Sequence, residues 1–293
     1  MKDEFVVNDV ALVLQGGGTR GAFTAGVLDV FMENHIVFPY VIGTSAGALN
    51  GVNYLSQDIG RSKYVSTELI LDKKFFSFRN FFRKGSFFDF KYLFFTVPKE
   101  KRPFNSGAYH SSSIEFVVTA TAMKDGKVVY FKKSETKEFF KALAASSSLP
   151  LTAKPVDVEG ELYLDGGVGA AIPFRKPLEE GFQKLVIVET RAKGFRKGKH
   201  RKKSGVLAWF MYRKYKTFRA AMAKANDLYN QDAAEVDELE KQGVVFVIRP
   251  DEAPDVKKTE TDPEKLLALY ERGRNIAERL LPDMLAFVQD KHE

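Results

Sequence analysis

The chain has 293 residues, enough to bury a large core, and its composition is that of a folded globular protein, with 44% hydrophobic and 28% charged residues. It contains no cysteine, which excludes disulfides, thiol nucleophiles and cysteine-ligated metals and agrees with a reducing compartment. The net charge of +7 is concentrated in residues 73–104 and 191–203, and the rest of the chain is acidic. Two local basic patches indicate contact with an anionic surface rather than nucleic-acid binding.

The first ten residues, MKDEFVVNDV, lack the basic start and the long apolar stretch of a signal peptide. No apolar run approaches the roughly 20 residues of a membrane-spanning helix. We therefore expect a cytoplasmic protein whose membrane contact, if any, is peripheral.

Strand-like and helix-like segments alternate from the start of the chain. The pattern predicts a strand at Val10–Gln15, a helix from about Arg20 to Asn34, a strand at Phe38–Gly43 and a helix from about Ala46. Further strands are predicted at Phe116–Ala122, Val128–Phe131, Leu162–Leu164, Leu185–Glu189 and Val244–Ile248. Several of these are apolar on both faces, as buried parallel strands are. The alternation predicts a doubly wound α/β fold.

We interpret residues 1–293 as one domain with an insertion at about 72–106 and a basic loop at about 191–205. Near the end, Thr261, Pro263 and Glu264 predict a capping box with an early proline, which opens a long amphipathic helix. Pro282 is expected to kink or end that helix.

A glycine-rich loop, Gly16-Gly17-Gly18-Thr19-Arg20-Gly21, follows the first predicted strand and opens a helix. Such a loop turns sharply and directs backbone amides at an anion in front of the positive helix end. The anion is either the oxyanion of an acyl-transfer intermediate or a dinucleotide phosphate. A dinucleotide site needs an acidic residue on the second strand, roughly 20 residues further on, and that strand here leads to a serine instead.

That serine lies in Gly43-Thr44-Ser45-Ala46-Gly47, between a strand and a helix, which is the context of a nucleophile elbow. The tight turn of an elbow tolerates only small residues two positions to either side, and Gly43 and Gly47 meet this demand. Ser45 is therefore the candidate nucleophile, at a helix N-terminus that favours negative charge.

The serine needs a base, and none of the four histidines, His35, His110, His200 and His292, follows the end of an apolar strand. The sequence Leu164-Asp165-Gly166-Gly167 offers a carboxylate at a strand end instead. An aspartate is a weak base in water, so this pairing requires a desolvated and preorganised site.

Four motifs in this order resemble the patatin-like phospholipases: G-G-G-x-R-G at Gly16–Gly21, G-x-S-x-G at Gly43–Gly47, A-S-x-x-x-P at Ala145–Pro150 and D-G-G at Asp165–Gly167. The resemblance covers roughly residues 10–175. It implies a three-layer α/β/α patatin-like fold, related to lysophospholipases and acyltransferases, with a largely parallel sheet.

The resemblance also implies the roles of individual residues. Ser45 is the expected nucleophile and Asp165 the expected base of a Ser-Asp dyad. The amides of Gly17, Gly18 and Thr19 are the expected oxyanion hole, with Arg20 shaping the loop. Gly16, Gly21, Gly43, Gly47, Gly166 and Gly167 are expected to support these groups, and Ala145–Pro150 to pack beside the dyad. No metal or cofactor is expected, and the expected substrate is a phospholipid, a lysophospholipid or another acyl ester.

Two further segments leave alternatives open. Residues 73–104 hold eleven of the 26 phenylalanines interleaved with cations, a pattern typical of a membrane-interfacial segment, of a lid over an acyl groove, or of a cap packed on the core. The basic run 191–203, followed by Val206–Tyr212, predicts a loop and an amphipathic helix that contact anionic lipid or simply face solvent.

The main alternative to a hydrolase is a non-catalytic lipid-binding or regulatory protein on the same scaffold. A nucleotide-binding oxidoreductase lacks its ribose acid here. Malonyl transacylases of similar topology have a histidine directly after the serine, where this chain has Ala46.

Overall fold

The computed structural model describes residues 5–198 and 202–290. The strands are β1 (Phe5–Val6), β2 (Val10–Leu14), β3 (Ile36–Val37), β4 (Tyr40–Thr44), β5 (Glu115–Ala122), β6 (Val128–Lys132), β7 (Val156–Val158), β8 (Glu161–Asp165), β9 (Lys184–Val188) and β10 (Val245–Ile248). The α-helices are α1 (Gly21–Glu33), α2 (Ala46–Leu55), α3 (Arg61–Thr67), α4 (Phe78–Lys84), α5 (Val97–Glu100), α6 (Ser106–Ser111), α7 (Phe139–Ser146), α8 (Arg175–Glu179), α9 (Lys202–Met211), α10 (Lys216–Lys241) and α11 (Pro263–Gln289).

The main sheet has eight strands in the order β10-β9-β2-β4-β5-β8-β7, with β6 also paired to β5. The five strands from β10 to β5 run parallel, whereas β6 and β8 pair antiparallel with β5, and β7 pairs antiparallel with β8. The seven strands predicted from the sequence all occur, with ends that differ by one or two residues. The largely parallel sheet is confirmed.

Helices cover both faces of the sheet, so the predicted three-layer architecture is confirmed. On β2, Leu12 and Leu14 contribute to the core shared with α1, α2 and α11, while Ala11 and Val13 contribute to the core shared with α8 and α10. Strands buried on both faces need apolar residues at every position, which explains the continuous apolar run in β2.

Helix α11 lies against α1. A Cβ atom at Gly26 would overlap the Tyr270 carbonyl oxygen, and one at Gly273 would overlap the Phe23 carbonyl oxygen. Backbone therefore packs on backbone, which only residues without a side chain permit. Because α1 lies between the sheet and α11, nearly all of its residues are buried.

For α11 the predicted N-cap was wrong, and of the two expected effects of Pro282 the end of the helix does not occur. The N-cap is Asp262, whose side chain accepts hydrogen bonds from the amides of Glu264 and Lys265, rather than Thr261. Both are capping residue types, and the adjacent aspartate takes the position that leaves Pro263 in the first turn. The helix also continues past Pro282 to Gln289 instead of ending there.

The phenylalanine-rich insertion forms short helices whose rings pack together. Centroid distances of 4.8 to 6.1 Å link Phe76, Phe88, Phe90, Phe94 and Phe140 in series. The rings thus pack mainly on each other and on α7, as in a cap, while Phe82 and Phe95 are exposed by 83% and 55%.

The basic loop ends in α9. Ala208 and Tyr212 pack inward, and five large apolar side chains are exposed: Val206, Leu207, Trp209, Phe210 and Met211. The segment is thus apolar toward both the protein and the solvent, rather than amphipathic as predicted. Among the described residues, no helix is both long and apolar enough to cross a bilayer.

Candidate active site

Ser45 occupies a sharp turn between β4 and α2, with φ 55° and ψ −120°. A non-glycine residue in that conformation is strained, as expected of a nucleophile elbow. A Cβ atom at Gly47 would overlap the Leu14 carbonyl oxygen, and one at Gly43 would lie 2.7 Å from the Ala48 amide nitrogen. The small residues predicted on either side of Ser45 are therefore required by close backbone contacts.

The register of the sheet brings Asp165 to Ser45. Thr44 of β4 lies opposite Thr119 of β5, and Ala120 lies opposite Asp165 of β8. The Ser45 hydroxyl donates a hydrogen bond of 2.9 Å to Asp165 Oδ2. Both residues are nearly buried, with 5% and 3% of their surface exposed. The structure thus brings together the two residues that the sequence nominated, 120 positions apart.

Asp165 is fixed by its surroundings. Its Oδ1 accepts a hydrogen bond of 2.7 Å from the Gly167 amide, and its own amide donates to the Ser148 carbonyl. A Cβ atom at Gly166 would overlap the Thr119 side chain, so the glycine lets the turn pack against β5. Burial raises the pKa of Asp165, while Lys258, the Gly167 amide and the Ser45 hydroxyl oppose this effect. A raised pKa makes the carboxylate a stronger base toward the serine than a free aspartate is.

The elbow is held by a residue whose role the sequence did not predict. Ser146, at the end of α7, accepts a hydrogen bond of 2.8 Å from the Ser45 amide through its hydroxyl. The A-S-x-x-x-P motif was expected only to pack beside the dyad. Its serine instead satisfies the backbone donor of the strained residue.

The glycine loop lies directly against the elbow. Gly16 packs on Ser45, and its amide donates to the Ala171 carbonyl. Gly18 has a positive φ of 61°. Within the described part of the chain, the amides of Gly17 and Gly18 have no protein acceptor, so both are free to donate to an oxyanion.

Thr19 differs from its prediction. Its amide donates a hydrogen bond of 3.0 Å to the Lys258 carbonyl, and its hydroxyl bonds the backbone of residues 257 and 260. In this structure the Thr19 amide is therefore already satisfied and anchors the loop. Arg20 also anchors the loop, because it is buried and donates to the Val256 carbonyl. Gly21 completes it, since a Cβ there would lie 2.7 Å from that of Ala46.

An apolar cavity of about 140 Å³ opens at Ser45. The cap contributes several of its walls, including Phe75, Phe88, Phe90 and Phe94, and α2 contributes Leu49. The phenylalanine-rich insertion therefore builds an apolar chamber beside the candidate nucleophile.

A second cavity, of about 70 Å³, lies on the Asp165 side of the serine. It shares Ser45 and Lys258 with the apolar cavity. Its walls also include three further cations, Arg20, Arg191 and Lys197.

Neither of the two histidines that the structure describes, His35 and His110, lines the cavities at Ser45. His110 lies exposed in α6, and its Nδ1 forms a hydrogen bond with the Ser106 carbonyl. His35 follows the C-cap of α1. His200 and His292 lie outside the described residues. Within 5–198 and 202–290, no group of three or more histidine, aspartate or glutamate side chains could hold a metal ion.

These features define an α/β protein with a serine at a nucleophile elbow and a carboxylate as its hydrogen-bond partner. Residues 12–178 match the family described as patatin-like phospholipase, and this is more than half of the chain. The chain belongs to the patatin-like phospholipase family. Residues 215–289 match a second family, described as a domain of unknown function (DUF6363).

Two known proteins are similar to this chain. The uncharacterized protein YjjU of Escherichia coli (strain K12) is 32% identical over 191 residues, which are 62% of this chain and 52% of that protein. The chain thus matches about half of the length of this relative. The crystal structure of VipD from Legionella pneumophila has a TM-score of 0.52 at 15% identity, over 94% of this chain and 67% of that one. The latter likeness establishes a shared fold.

Proposed function

We propose that this protein hydrolyses lipid acyl esters, of the phospholipase A or lysophospholipase type, through a Ser45–Asp165 dyad. The observation that supports it is the 2.9 Å hydrogen bond from the Ser45 hydroxyl to Asp165, between the apolar cavity and the free amides of the glycine loop. Family membership supports acyl-ester hydrolysis in general.

The proposed reaction has two halves. Ser45 Oγ attacks the ester carbonyl as its proton passes to Asp165, and the amides of Gly17 and Gly18 stabilise the oxyanion. The intermediate expels the alcohol or lysolipid, which takes the proton from Asp165, and leaves an acyl-Ser45. Water then attacks the acyl carbonyl while Asp165 accepts its proton, and that proton returns to Ser45 as the fatty acid leaves.

The site architecture supports a lipid as the substrate. The apolar cavity accommodates part of an acyl chain out of contact with water, and Ser45 lies in its wall. Burial of a chain at about 25 cal/mol per Å² would supply binding free energy that depends on chain length.

The test is fatty acid release from mixed phospholipid vesicles by the wild type, Ser45→Ala and Asp165→Asn. We expect Ser45→Ala to fall to background and Asp165→Asn to lose at least about 100-fold, the usual contribution of a general base. The exposed residues Ser113 and Asp283 provide the matched controls Ser113→Ala and Asp283→Asn, which should retain full release. Vesicle binding with no release by any of these proteins would instead support the non-catalytic lipid-binding alternative.

We also propose peripheral contact with an anionic membrane surface through α9 and the neighbouring basic loop. Five large apolar side chains of α9 are exposed there. Such side chains enter the headgroup boundary of a bilayer, and nearby cations add attraction to anionic lipid.

We further propose that the chain folds as one domain, although two families match separate parts of it. The backbone contacts of Gly26 and Gly273 support this, since they join α1 to α11. A single cooperative unfolding transition by calorimetry is expected, and two separable transitions would contradict it.

A further inference from the structure

The second cavity carries an unusual charge for its size. Of its titratable walls, Arg20, Arg191, Lys197 and Lys258 are cationic, and Asp165 is the single carboxylate. None of the four cations forms an ion pair with a carboxylate within the described residues. Two other cations of the basic loop, by contrast, form ion pairs: Lys193 with Glu240 at 2.8 Å and Arg196 with Asp237 at 3.1 Å.

Arg20 is the most confined of the four. It is only 7% exposed, and its Nε has no hydrogen-bond partner. A buried guanidinium donor without a partner is costly, and native structures rarely leave one without a functional reason. Its NH1 donates a hydrogen bond of 3.4 Å to the Val256 carbonyl.

The other three cations line the cavity from two separate segments. Arg191 and Lys197 lie in the basic loop, where they stack on the rings of Phe195 and Tyr229 with cation-to-centroid distances of 4.1 and 4.0 Å. These contacts fix the position of each positive group without neutralising it. Lys258 precedes α11 and remains accessible to solvent, so an incoming group can reach it.

The cations also repel one another. Burial, together with the charges of Lys258, Arg20 and Arg191, lowers the pKa of Lys197 to about 8, although Asp165 opposes this effect. Burial and the charge of Arg191 together lower the pKa of Arg20 to about 10. An anion placed among these groups would relieve the repulsion, so the charges of this cavity favour the binding of a negative group.

We propose that Arg20, Arg191, Lys197 and Lys258 bind the phosphate group of the substrate, next to the Ser45–Asp165 dyad and outside the apolar cavity. Because Ser45 and Lys258 line both cavities, one molecule can place its acyl chain in the apolar cavity, its ester at Ser45 and its phosphate among the cations. The preferred substrate is therefore an acyl ester that carries a phosphate on the alcohol side. This rests on the proposed hydrolase function.

The test compares kcat/KM for two esters with the same acyl chain, a lysophosphatidic acid and the monoacylglycerol without phosphate, in neutral detergent micelles. We expect the wild type to prefer the phosphate ester at least tenfold. Lys197→Met and Lys258→Met should each reduce this preference about tenfold or more, through KM. The matched control Lys193→Met removes the same charge from the same loop, outside the cavity, and should keep the wild-type preference.

Two outcomes would overturn the proposal: a wild type without preference, or variants that keep it. The four cations could instead act only on the charge of Asp165. In that case the lysine substitutions would move the pH profile equally for both substrates. Above pH 8, where Lys197 loses its proton, KM should rise for the phosphate ester only.

A binding measurement separates this proposal from the hydrolase proposal. Titration calorimetry with inorganic phosphate should detect binding to the wild type and to Ser45→Ala, and weaker binding to Lys258→Met and Lys197→Met. If no ester is hydrolysed but phosphate binds in this pattern, the hydrolase proposal fails and the phosphate site stands. If esters are hydrolysed and phosphate does not bind, the phosphate-site proposal is overturned and the hydrolase proposal is not. Thermal unfolding of each variant controls for loss of fold.

Discussion

The Ser45 amide donates a hydrogen bond of 2.8 Å to the hydroxyl of Ser146, a residue 101 positions away at the end of α7. Ser45 lies at φ 55° as the N-cap of α2, so its amide has no acceptor within that helix. Ser146 is fully buried and Ser45 is 5% exposed, so this hydrogen bond forms away from solvent. The contact therefore stabilises the strained conformation from which Ser45 would react.

Removal of this hydroxyl should affect both stability and turnover. Ser146→Ala leaves a buried amide without an acceptor, which costs about 1–3 kcal/mol of unfolding free energy. We expect kcat to fall about tenfold or more because the elbow loses its fixed geometry. The control is Ser148→Ala, which removes a hydroxyl that donates to the Ala144 carbonyl of α7. Equal effects of the two substitutions would contradict the role given to Ser146.

The pH dependence should report the environment of Asp165. Its pKa is raised by burial, and a general base must be deprotonated to act. Activity should therefore fall as the pH drops through this raised pKa, so the acid limb lies above the ordinary aspartate value of about 3.9. The rate profile of an uncharged soluble ester measures this. An acid limb at or below that value would mean that the carboxylate is not acting from its buried position.

Stability should change in the opposite sense to activity at the same residue. Because the folded-state pKa of Asp165 is raised, its ionised form costs stability at pH values above the unfolded-state pKa. Asp165→Asn removes this cost, so its melting temperature at pH 7 should equal or exceed that of the wild type although hydrolysis is lost. The difference should shrink below about pH 4, where both side chains are neutral. A large drop in the melting temperature at pH 7 would show that Asp165 is mainly structural.

The apolar cavity should determine acyl-chain preference. Phe94 lies between Phe90 and Phe140 in the stacked series and lines the cavity. Phe94→Ala should enlarge the cavity and shift the best substrate among p-nitrophenyl esters toward longer chains, with some loss of stability. Phe82, in the same insertion but 83% exposed, supplies the control Phe82→Ala, which should leave the preference unchanged. An unshifted profile in Phe94→Ala would place the acyl chain elsewhere.

Membrane contact can be observed through the single tryptophan of the chain. Trp209 is 55% exposed in α9. Its fluorescence should shift to the blue with vesicles that contain anionic lipid, less so at high salt, and hardly at all with zwitterionic vesicles. Phe210→Ser should weaken the shift, and Leu267→Ser, an exposed apolar residue on α11, should not. A fluorescence shift that does not depend on lipid charge or salt would contradict the proposed contact of the basic loop with anionic lipid.

The sequence predicted Ser45 and Asp165 because each lies at the end of an apolar strand, and because glycines mark the tight turns around them. Ser146 lies in the A-S-x-x-x-P motif, which does not by itself indicate a contact with the Ser45 amide, and Lys258 lies in no recognised motif. Their roles arise from contacts with Ser45 and with the glycine loop across more than 100 residues. The glycine-loop motif likewise does not indicate that the Thr19 amide donates its hydrogen bond to the distant Lys258 carbonyl.

Helix boundaries illustrate a second limit. Thr261 and Asp262 are both good capping residues, and only the backbone geometry at Asp262 decides between them. Pro282 does not end α11, because the flanking turns pack on the protein, with Met284 fully buried. Tertiary packing here outweighs a local preference.

The most direct test of the dyad is covalent labelling with a fluorophosphonate, followed by peptide mass spectrometry. Ser45 Oγ should attack phosphorus and displace fluoride, which gives one adduct on Ser45 in the wild type, none in Ser45→Ala and much slower labelling in Asp165→Asn. Labelling of another serine, or undiminished labelling of Asp165→Asn, would contradict the account.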